Sequence, residues 1–437
     1  MLKRKVMPKL DEWRLSPSKR ALLVTGARQI GKTYIIREFA KSRYDNFVEL
    51  NLALDATSKD IFNSSISAEE ILLRLSVATR TSLNKGKTCI FLDEIQEAPE
   101  IMTTIKALVE KGNYDFILSG SLLGVELKNI RSNPVGSVKT LLMYPLDFEE
   151  FCWANGIGDE VFDYLKHCYS KAAEIDGEIH KQMLDLYKKY IIVGGMPDAV
   201  KTYINSNDLT MVRDVQDAIH DWYKTDISKY CPAGNNLKAK EAYSLIPSEL
   251  NNQNKRFVLK SLNQLAKFRT YEDAFLWLGA ANVALPVYNV SEARSPLLVS
   301  KQRNLFKLFY SDVGLLMSTF SKKSTLSLLN GDTTVNYGCM FENAVAQELV
   351  AHGFDLYYYN NKSKGEVDFI IEDKDGVVTP IEVKSGKNYR RHSAINNLMN
   401  IKNFDIDRAI VLSQGNIEIK DKVLHLPIYT SSLLENI

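Results

Sequence analysis

The chain has 437 residues, of which 45% are hydrophobic and 25% charged. These proportions are ordinary for a globular protein and exclude the collagen-like, coiled-coil and largely disordered classes. Lys and Arg total 55 against 53 Asp and Glu, so the net charge of +2 favours neither nucleic acid nor membrane as a partner. At about 150 residues per domain, the length predicts about three domains.

The five cysteines (Cys89, Cys152, Cys168, Cys231 and Cys339) are scattered along the chain. They lack both a CxxC pair and zinc-ligand spacing, so they predict neither a disulfide framework nor a cysteine zinc site. The basic start has no apolar run of the signal-peptide kind, and the most apolar stretch (274–288) is shorter than the roughly 20 residues of a membrane helix. We therefore expect a cytoplasmic protein without a membrane partner.

Short apolar runs alternate with helical patterns in the first third of the chain. The runs are ALLV (21–24), FVELNLA (47–53), TCIFLDE (88–94), YDFILSG (114–120) and VKTLLMY (138–144). Such alternation predicts an α/β domain with a largely parallel sheet covered by helices. We assign residues 1–145 to a nucleotide-binding core, and the aromatic-rich helical patterns of residues 146–232 to a helical lid or extension.

The remaining residues predict two further segments. Residues 233–325 resemble a small winged-helix unit, with helical patterns followed by the strand-like LPVYNV. Residues 326–437 begin with a helical pattern and continue with the strand-like LYYYN, VDFIIED, TPIEVKSG and RAIVLSQG. This order predicts a second α/β domain at the C-terminal end.

A phosphate-binding loop is predicted near the start of the chain. The segment GARQIGKT fits GxxxxGK[ST] and lies between the ALLV run and the helical pattern TYIIREFA. Backbone N–H groups of such a loop and the following helix N-terminus attract phosphate. We expect Lys32 to reach the β- and γ-phosphates of ATP and the Thr33 hydroxyl to ligate Mg²⁺. The predicted ATP-binding residues are Gly26, Ala27, Arg28, Gln29, Ile30, Gly31, Lys32 and Thr33, together with Ser119 at the end of the run YDFILSG.

A second part of the nucleotide site is predicted where the apolar run CIFL ends in Asp93 and Glu94. Asp93 would hold Mg²⁺ through water, and Glu94 would orient and deprotonate the attacking water. The next strand-like run ends with Ser119 and Ser121, either of which could sense the γ-phosphate; an ordinary strand end is the alternative. Arg131 is a candidate arginine finger, with an isolated surface arginine as the alternative.

A second candidate site lies in the C-terminal segment, where GEVDFII and PIEVKSG flank the turn sequence DKDG. Opposed residues of a hairpin centred on Asp375 sum to about 2 × 375 = 750, which places Asp368 opposite Glu382. Strand periodicity puts Glu382 and Lys384 on one face. Carboxylates could bind Mg²⁺ for phosphodiester hydrolysis while Lys384 positions the nucleophile, with Glu342 as a further oxygen ligand. An exposed charged sheet face is the alternative.

With these two motifs, the chain resembles a prokaryotic family of AAA-type P-loop ATPases with a C-terminal restriction-endonuclease-like domain. The segments YPLDFEEF (144–151), GGMPDAV (194–200) and YKTDISKY (223–230) also look like landmarks of that family. The resemblance implies an α/β protein that uses ATP and Mg²⁺. It also implies that Asp368, Glu382 and Lys384 fit the (P)D…(D/E)xK nuclease pattern, with Glu342 as its helical acid.

The chain departs from that family at two places. Val367 precedes Asp368, as the looser nuclease pattern allows, and Gly136-Ser137 stands where many relatives have Gly-Arg. The second departure removes an arginine at a place where an arginine finger could lie. A homo-oligomer is expected only by analogy with AAA ATPases.

Local clusters of basic residues favour DNA as a partner. The first 45 residues contain 12 Lys and Arg against 4 Asp and Glu. Two further clusters are Lys255, Arg256, Lys260, Lys267 and Arg269, and Lys384, Lys387, Arg390 and Arg391. Such groups could hold nucleic-acid phosphates, with a solvated basic surface as the alternative.

The sequence thus predicts a Mg²⁺-dependent ATPase that couples its nucleotide state to a DNA-binding or DNA-cleaving C-terminal domain. The main alternative is a nucleotide-dependent switch or binding module whose nuclease-like domain is inactive. A translocase or helicase is a third possibility, for which the sequence offers no motif series beyond the phosphate loop and the strand that ends in Asp93 and Glu94.

Overall fold

The computed structural model describes residues 2–54, 56–62, 67–120, 136–252, 255–262, 267–332, 337–386 and 390–435. The chain folds into two compact units. The N-terminal unit comprises Arg4–Tyr144 with Ala280–Asn282, and the C-terminal unit comprises Met1–Lys3, Pro145–Gly279 and Val283–Ile437.

The N-terminal unit is built on a five-stranded sheet. Its strands are β1 (Ala21–Thr25), β2 (Asn46–Asn51), β3 (Thr88–Asp93), β4 (Asp115–Gly120) and β5 (Val138–Leu142). Its helices are α1 (Val6–Leu15), α2 (Lys32–Arg43), α3 (Ala56–Asp60), α4 (Ala68–Thr79) and α5 (Ile101–Glu110). The strand order is β2-β3-β4-β1-β5 and every pairing is parallel, which confirms the predicted parallel α/β core.

The apolar core of this unit restricts acidic side chains to the ends of its strands. Strand β3 is buried along its whole length, and Ile90 and Leu92 pack with Ile105 of α5 and Leu75 of α4. Helix α5 buries residues at helical spacing, which gives it one apolar face for the sheet. Acidic side chains are costly inside such a strand, so Asp93 occurs at its carboxyl end.

The C-terminal unit begins with helices, as the sequence predicts for residues 146–232. These are α6 (Phe148–Ala154), α7 (Asp159–Lys171), α8 (Gly177–Val193), α9 (Pro197–Ser206) and α10 (Leu209–Tyr230). The later helices are α11 (Asn236–Asn251), α12 (Phe268–Ala280), α13 (Val313–Ser318), α14 (Lys322–Leu329), α15 (Gly338–Ala351) and α16 (Ser393–Met399). One residue of α12, Ala280, is grouped with the N-terminal unit.

An eight-stranded mixed sheet forms the centre of the C-terminal unit. Its strands are β6 (Ala284–Val290), β7 (Lys301–Tyr310), β8 (Tyr357–Asn361), β9 (Gly365–Glu372), β10 (Val378–Val383), β11 (Ala409–Ser413), β12 (Glu418–Lys420) and β13 (Val423–Pro427). Their order is β12-β13-β11-β10-β9-β8-β6-β7. Strand β9 runs antiparallel to β10, whereas β10 pairs parallel with β11.

The predicted register of the β9–β10 hairpin is confirmed. Ile381 lies opposite Phe369, and Thr379 lies opposite Ile371, so each pair sums to 750. The same register continues to Glu382 and Asp368 at the next position. The turn sequence and the strand period were therefore sufficient to align these two acids.

The middle segment differs from the predicted winged-helix unit. Strands β6 and β7 belong to the same sheet as the C-terminal strands, because β6 pairs parallel with β8 through Tyr288 and Tyr357. The predicted boundary between residues 325 and 326 falls inside α14. Residues 233–325 therefore do not form a compact unit of their own. The sequence did not predict this, because pairing between strands far apart in the chain leaves no local sequence pattern.

Among the helices that the structure describes, none has both the length and the apolarity needed to cross a membrane. The five cysteines are buried free thiols.

Candidate functional site

The predicted phosphate loop connects β1 to α2 and depends on glycine at two positions. Gly26 has φ +142°, and a Cβ atom there would lie 2.2 Å from the carbonyl oxygen of Met143. Gly31 precedes the first residue of α2 with φ +87°. Larger residues would be strained at both positions, so the glycines of the motif are required by the backbone path.

Lys32 starts α2 and directs its ammonium group over the loop. Its Nζ donates hydrogen bonds to the carbonyl oxygens of Gly26, at 3.0 Å, and Ala27, at 2.7 Å. The side chain is 8% exposed. The N-terminus of α2 and this buried cation together create a positive site suited to phosphate.

The Asp93 carboxylate is the centre of a second group of polar side chains. The Thr33 hydroxyl donates to its Oδ1 and Oδ2 at 3.2 and 3.1 Å, the Ser119 hydroxyl donates to Oδ1, and Asn51 Nδ2 donates to Oδ2 at 3.3 Å. Burial raises the pKa of Asp93, the charge of Glu94 adds to this, and the hydrogen bonds from Ser119 and Thr33 oppose it. A hydroxyl beside a buried carboxylate fits Mg²⁺ held next to nucleotide phosphates.

Glu94 follows β3 in a left-handed conformation, with φ 58° and ψ 49°. Its Oε2 accepts a hydrogen bond from Gln96 Nε2, and the side chain is half-buried. This hydrogen bond from Gln96 can orient the carboxylate of Glu94, the predicted general base. Ser119 lies beside Asp93, whereas Ser121 and Arg131 fall outside the described residues.

Three residues of this site, Gln96, Asn51 and Arg4, were missed by the sequence analysis. Asn51 ends β2 directly opposite Asp93, and its position after an apolar strand could have identified it. Arg4 donates from Nη1 to the Ile30 carbonyl oxygen at 3.1 Å and from Nη2 to that of Tyr144 at 2.8 Å. Arg4 thus supports the phosphate loop. Its role could not be predicted, because it lies in a basic run of the sequence far from the loop motif.

The second candidate site contains more charges than predicted. We call it the acid–lysine cluster, and its members are Glu342, Glu366, Asp368, Glu382, Lys255, Lys307 and Lys384. Lys307 is fully buried on β7, and its Nζ lies 2.7 Å from Glu366 Oε1 and 3.7 Å from Asp368 Oδ1. Burial lowers the pKa of Lys307, but the charges of Glu342, Asp368 and Glu366 outweigh it and raise the pKa.

Glu342 is an ion-pair partner in this cluster. Lys255 contacts its Oε1, and Lys307 Nζ lies 3.7 Å from its Oε2. In the described part of the chain, Glu342, Asp368 and Glu382 do not bring one oxygen each to within 4.8 Å of the others. Two lysines therefore neutralise this helical acid, and its role as a further metal ligand stays a prediction.

Asp368, Glu382 and Lys384 lie together, as predicted. Asp368 Oδ2 accepts a hydrogen bond from the backbone N–H of Val383 at 2.9 Å, and Lys384 Nζ donates to Glu382 Oε1 at 2.6 Å. Glu382 Oε2 is buried and has no hydrogen-bond partner within the described residues. Burial raises the pKa of Glu382 to about 8, and the charge of Asp368 contributes. One or two carboxylates with an open oxygen suit Mg²⁺, which completes its shell with water and phosphate.

Ion pairs neutralise much of the predicted basic surface. Arg390 Nη2 lies 3.0 Å from Glu418 Oε2, and Lys384 and Lys255 pair with acids of the acid–lysine cluster. In the first 45 residues, ion pairs form between Lys3 and Asp159, Lys19 and Asp115, Arg37 and Glu49, and Arg43 and Asp11. Lys387 lies outside the described residues. The count of basic residues thus overstates the positive charge available to DNA.

Family models match three segments of the chain. Residues 18–152, which include strands β1 to β5, match a family model described as an AAA domain. Residues 184–326 match the domain of unknown function DUF8612, and residues 337–429 match the domain of unknown function DUF4143. A search of curated proteins finds no match.

Solved structures of remote similarity include a Walker-type ATPase of Pyrococcus abyssi, with 13% identity and a TM-score of 0.44 over 73% of this chain and 95% of that chain. The Orc1 protein of Aeropyrum pernix in complex with DNA has 13% identity and a TM-score of 0.29, covering 75% and 91%. The Holliday junction branch migration motor of Thermotoga maritima has 14% identity and a TM-score of 0.30, covering 75% and 95%.

Proposed function

We propose that this protein binds and hydrolyses ATP in a Mg²⁺-dependent reaction at the N-terminal unit. The observation that carries the proposal is the convergence of Thr33, Ser119 and Asn51 on the buried Asp93 carboxylate, next to the phosphate loop. The AAA-domain match over residues 18–152 supports the same function. Bound Mg²⁺ would neutralise charge on the transferred phosphoryl group.

Each side chain has a defined task in this proposal. Lys32 binds the β- and γ-phosphates, while Thr33 and Asp93 hold the cation directly and through water. Glu94 accepts a proton from the attacking water, and Gln96 keeps its carboxylate in place. Ser119 orients Asp93 from the neighbouring strand.

The direct test measures ATP binding and phosphate release by the purified chain, with the variant Lys32→Ala. We expect the variant to lose turnover, because its buried ammonium group is removed from the loop. Lys41→Ala changes an exposed lysine on the same helix and should leave turnover unchanged. Normal turnover in the Lys32 variant would disprove the site.

We propose further that the C-terminal unit acts on DNA phosphodiesters at Asp368, Glu382 and Lys384. The supporting observation is the buried Glu382 Oε2, which lacks a hydrogen-bond partner in the described structure, beside a second carboxylate. Mg²⁺ held there would polarise a phosphodiester and activate water. Asp368 is anchored by the Val383 N–H, and Lys384, which donates to Glu382 Oε1, would contact a phosphate held by these carboxylates.

The test incubates labelled linear, supercoiled and branched DNA with the protein, with and without ATP, in Mg²⁺ or Mn²⁺. We expect cleavage that is lost in the double variant Glu382→Gln, Lys384→Ala. The matched control is Lys374→Ala, Asp375→Asn, which removes one lysine and one acid from the exposed turn of the same hairpin. Equal cleavage by the double variant would disprove this site.

The ion pairs of Glu342 and Lys307 favour the rival, in which the same unit binds DNA without cutting and responds to ATP. Metal-independent DNA binding without cleavage of any substrate would support the rival. A change in DNA affinity between ATP and ADP would show the proposed coupling, and the homo-oligomer expected by analogy is tested by measuring mass in both states.

A further inference from the structure

Three metal-ligating side chains that belong to neither candidate site converge within the C-terminal unit. Glu348 lies near the end of α15, His352 follows one turn later, and Asp147 precedes α6 in the segment YPLDFEEF. Each offers one ligand atom, and these atoms lie within 4.8 Å of one another. Across the described residues, this is the one group of three such side chains with that spacing. Glu348 and His352, the residue that caps the end of α15, are four apart and so face the same side.

Both carboxylates divide their oxygens between two roles. Asp147 Oδ1 accepts the backbone N–H of Glu150 at 2.8 Å, and Glu348 Oε1 accepts that of Phe148 at 2.7 Å. These bonds fix the two carboxylates against the start of α6. Their other oxygens, Asp147 Oδ2 and Glu348 Oε2, lie 3.3 and 3.9 Å from His352 Nε2.

The imidazole of His352 is oriented from its other side. Its Nδ1 lies 2.8 Å from the carbonyl oxygen of Leu434, which can only accept, so Nδ1 carries the hydrogen. Nε2 lies in hydrogen-bond range of Asp147 Oδ2 at 3.3 Å: a protonated ring donates there, whereas a neutral ring directs its Nε2 lone pair towards both carboxylates. The side chains of His352, Asp147 and Glu348 are only 7%, 5% and 0% exposed, so water screens this repulsion poorly. A cation between the three groups removes the repulsion.

We propose that Asp147, Glu348 and His352 bind a divalent transition-metal ion, with Zn²⁺ as the best match. One imidazole nitrogen and two carboxylate oxygens form a mixed set that suits Zn²⁺ better than Mg²⁺ or Ca²⁺, with water as a fourth ligand. The N–H of His352 bonded to a backbone carbonyl is the arrangement that orients a metal-binding histidine. The ion would join α6 to α15 within the C-terminal unit, so the site is independent of ATP hydrolysis.

The test uses the full chain, purified without chelator and dialysed against metal-free buffer containing Zn²⁺ or Co²⁺. We expect about one tightly bound Zn²⁺ per chain and a visible Co²⁺ absorption band typical of four-coordinate geometry. Asp147→Asn keeps a helix-capping oxygen, and Glu348→Gln keeps an acceptor for Phe148, yet both should lose the metal and the band. His352→Gln should do the same.

Two control variants and a stability measurement test whether metal loss is specific to Asp147, Glu348 and His352. His180→Gln removes a histidine that bonds Tyr429 elsewhere in the same unit, and Glu382→Gln alters the acid–lysine cluster; both should retain the metal. Zn²⁺ should raise the unfolding temperature of the wild type with the logarithm of its concentration above the dissociation constant, and should not raise that of Asp147→Asn.

Three results would overturn the proposal. One is a wild-type chain that binds no Zn²⁺ and shows no Co²⁺ band. Another is undiminished metal content in the Asp147, Glu348 and His352 variants. The third is a fall in wild-type stability with rising pH that His352→Gln lessens while Zn²⁺ has no effect, because a proton on His352 would then be the cation between the carboxylates.

Discussion

Thr33 and Asp93 come from different elements of the N-terminal unit, yet the Thr33 hydroxyl lies 3.2 and 3.1 Å from the two oxygens of the Asp93 carboxylate. Thr33 is the second residue of α2, and Asp93 is the last residue of β3. The contact joins the end of the phosphate loop to the acid of the central strand. It therefore places two candidate Mg²⁺ ligands at the same point.

Replacing Thr33 tests this relationship. Thr33→Val keeps the shape but removes the hydroxyl, so we expect ATP hydrolysis to fall by at least about tenfold, with a higher Mg²⁺ concentration needed for half-maximal rate. Thr33→Ser keeps the hydroxyl and should retain most of the activity. The measurement is the ATPase rate against Mg²⁺ for the three proteins. If the ATPase rates of Thr33→Val and Thr33→Ser depended on Mg²⁺ in the same way, the hydroxyl would not have this role.

The raised pKa of Glu382 makes a prediction about stability and pH. Its folded-state pKa is about 8, above the ordinary glutamate value of about 4.3, because burial and Asp368 disfavour the charge. The folded state therefore binds this proton more tightly than the unfolded state. The resulting stabilisation is complete below about pH 4 and is lost as pH rises through about 8.

Urea unfolding at several pH values between about 5 and 9 measures this effect. We expect the free energy of unfolding of the wild type to fall across this range more steeply than that of Glu382→Gln, which cannot ionise. Mg²⁺ should lessen the fall, because it binds the ionised carboxylate. The turn variant Lys374→Ala should behave as the wild type. Parallel pH curves for the wild type and Glu382→Gln would rule out a titrating Glu382.

Lys307 is expected to hold the acid–lysine cluster together. Lys307→Met retains the apolar stem but removes the buried cation beside Glu366 and Asp368 and leaves Glu342 with Lys255 alone. Breaking such a pair typically costs about 3–5 kcal/mol, so the free energy of unfolding should fall by that order.

A double variant identifies the cause of that loss. Adding Glu366→Gln to Lys307→Met removes one of the uncompensated charges and should recover part of the stability. Urea unfolding of the two single variants and the double variant gives the coupling. Purely additive effects would mean that Lys307 and Glu366 do not interact as the 2.7 Å contact implies.

The sequence predicted those parts of the structure that local patterns encode. The phosphate loop, the acid at the end of β3 and the β9–β10 register follow from short segments with fixed geometry. Lys307 was missed because it reaches the acids from a strand far away in the chain, and strand pairing over that distance has no local pattern. The same reason explains why β6 and β7 were assigned to a separate unit.

The backbone of Leu146 approaches Gly195 so closely that the segment GGMPDAV requires glycine at this position. The Gly195 N–H donates to Asp312 Oδ2 at 2.6 Å, and the Gly195 carbonyl oxygen accepts the N–H of Leu146 at 2.7 Å. A Cβ atom would lie 1.9 Å from the carbonyl oxygen of Leu146, so Gly195→Ala must push two backbone segments apart.

We expect Gly195→Ala to lower the free energy of unfolding by about 1–3 kcal/mol or more, as overpacking does in buried sites. The matched control is Gly177→Ala at the start of α8, where a Cβ atom would meet no atom within 4 Å. Alanine favours the helix there, so this variant should be neutral or slightly more stable. Urea unfolding of both proteins makes the comparison. If the two substitutions had the same effect, the close approach of Leu146 would not be what requires glycine, because loss of glycine flexibility is common to both.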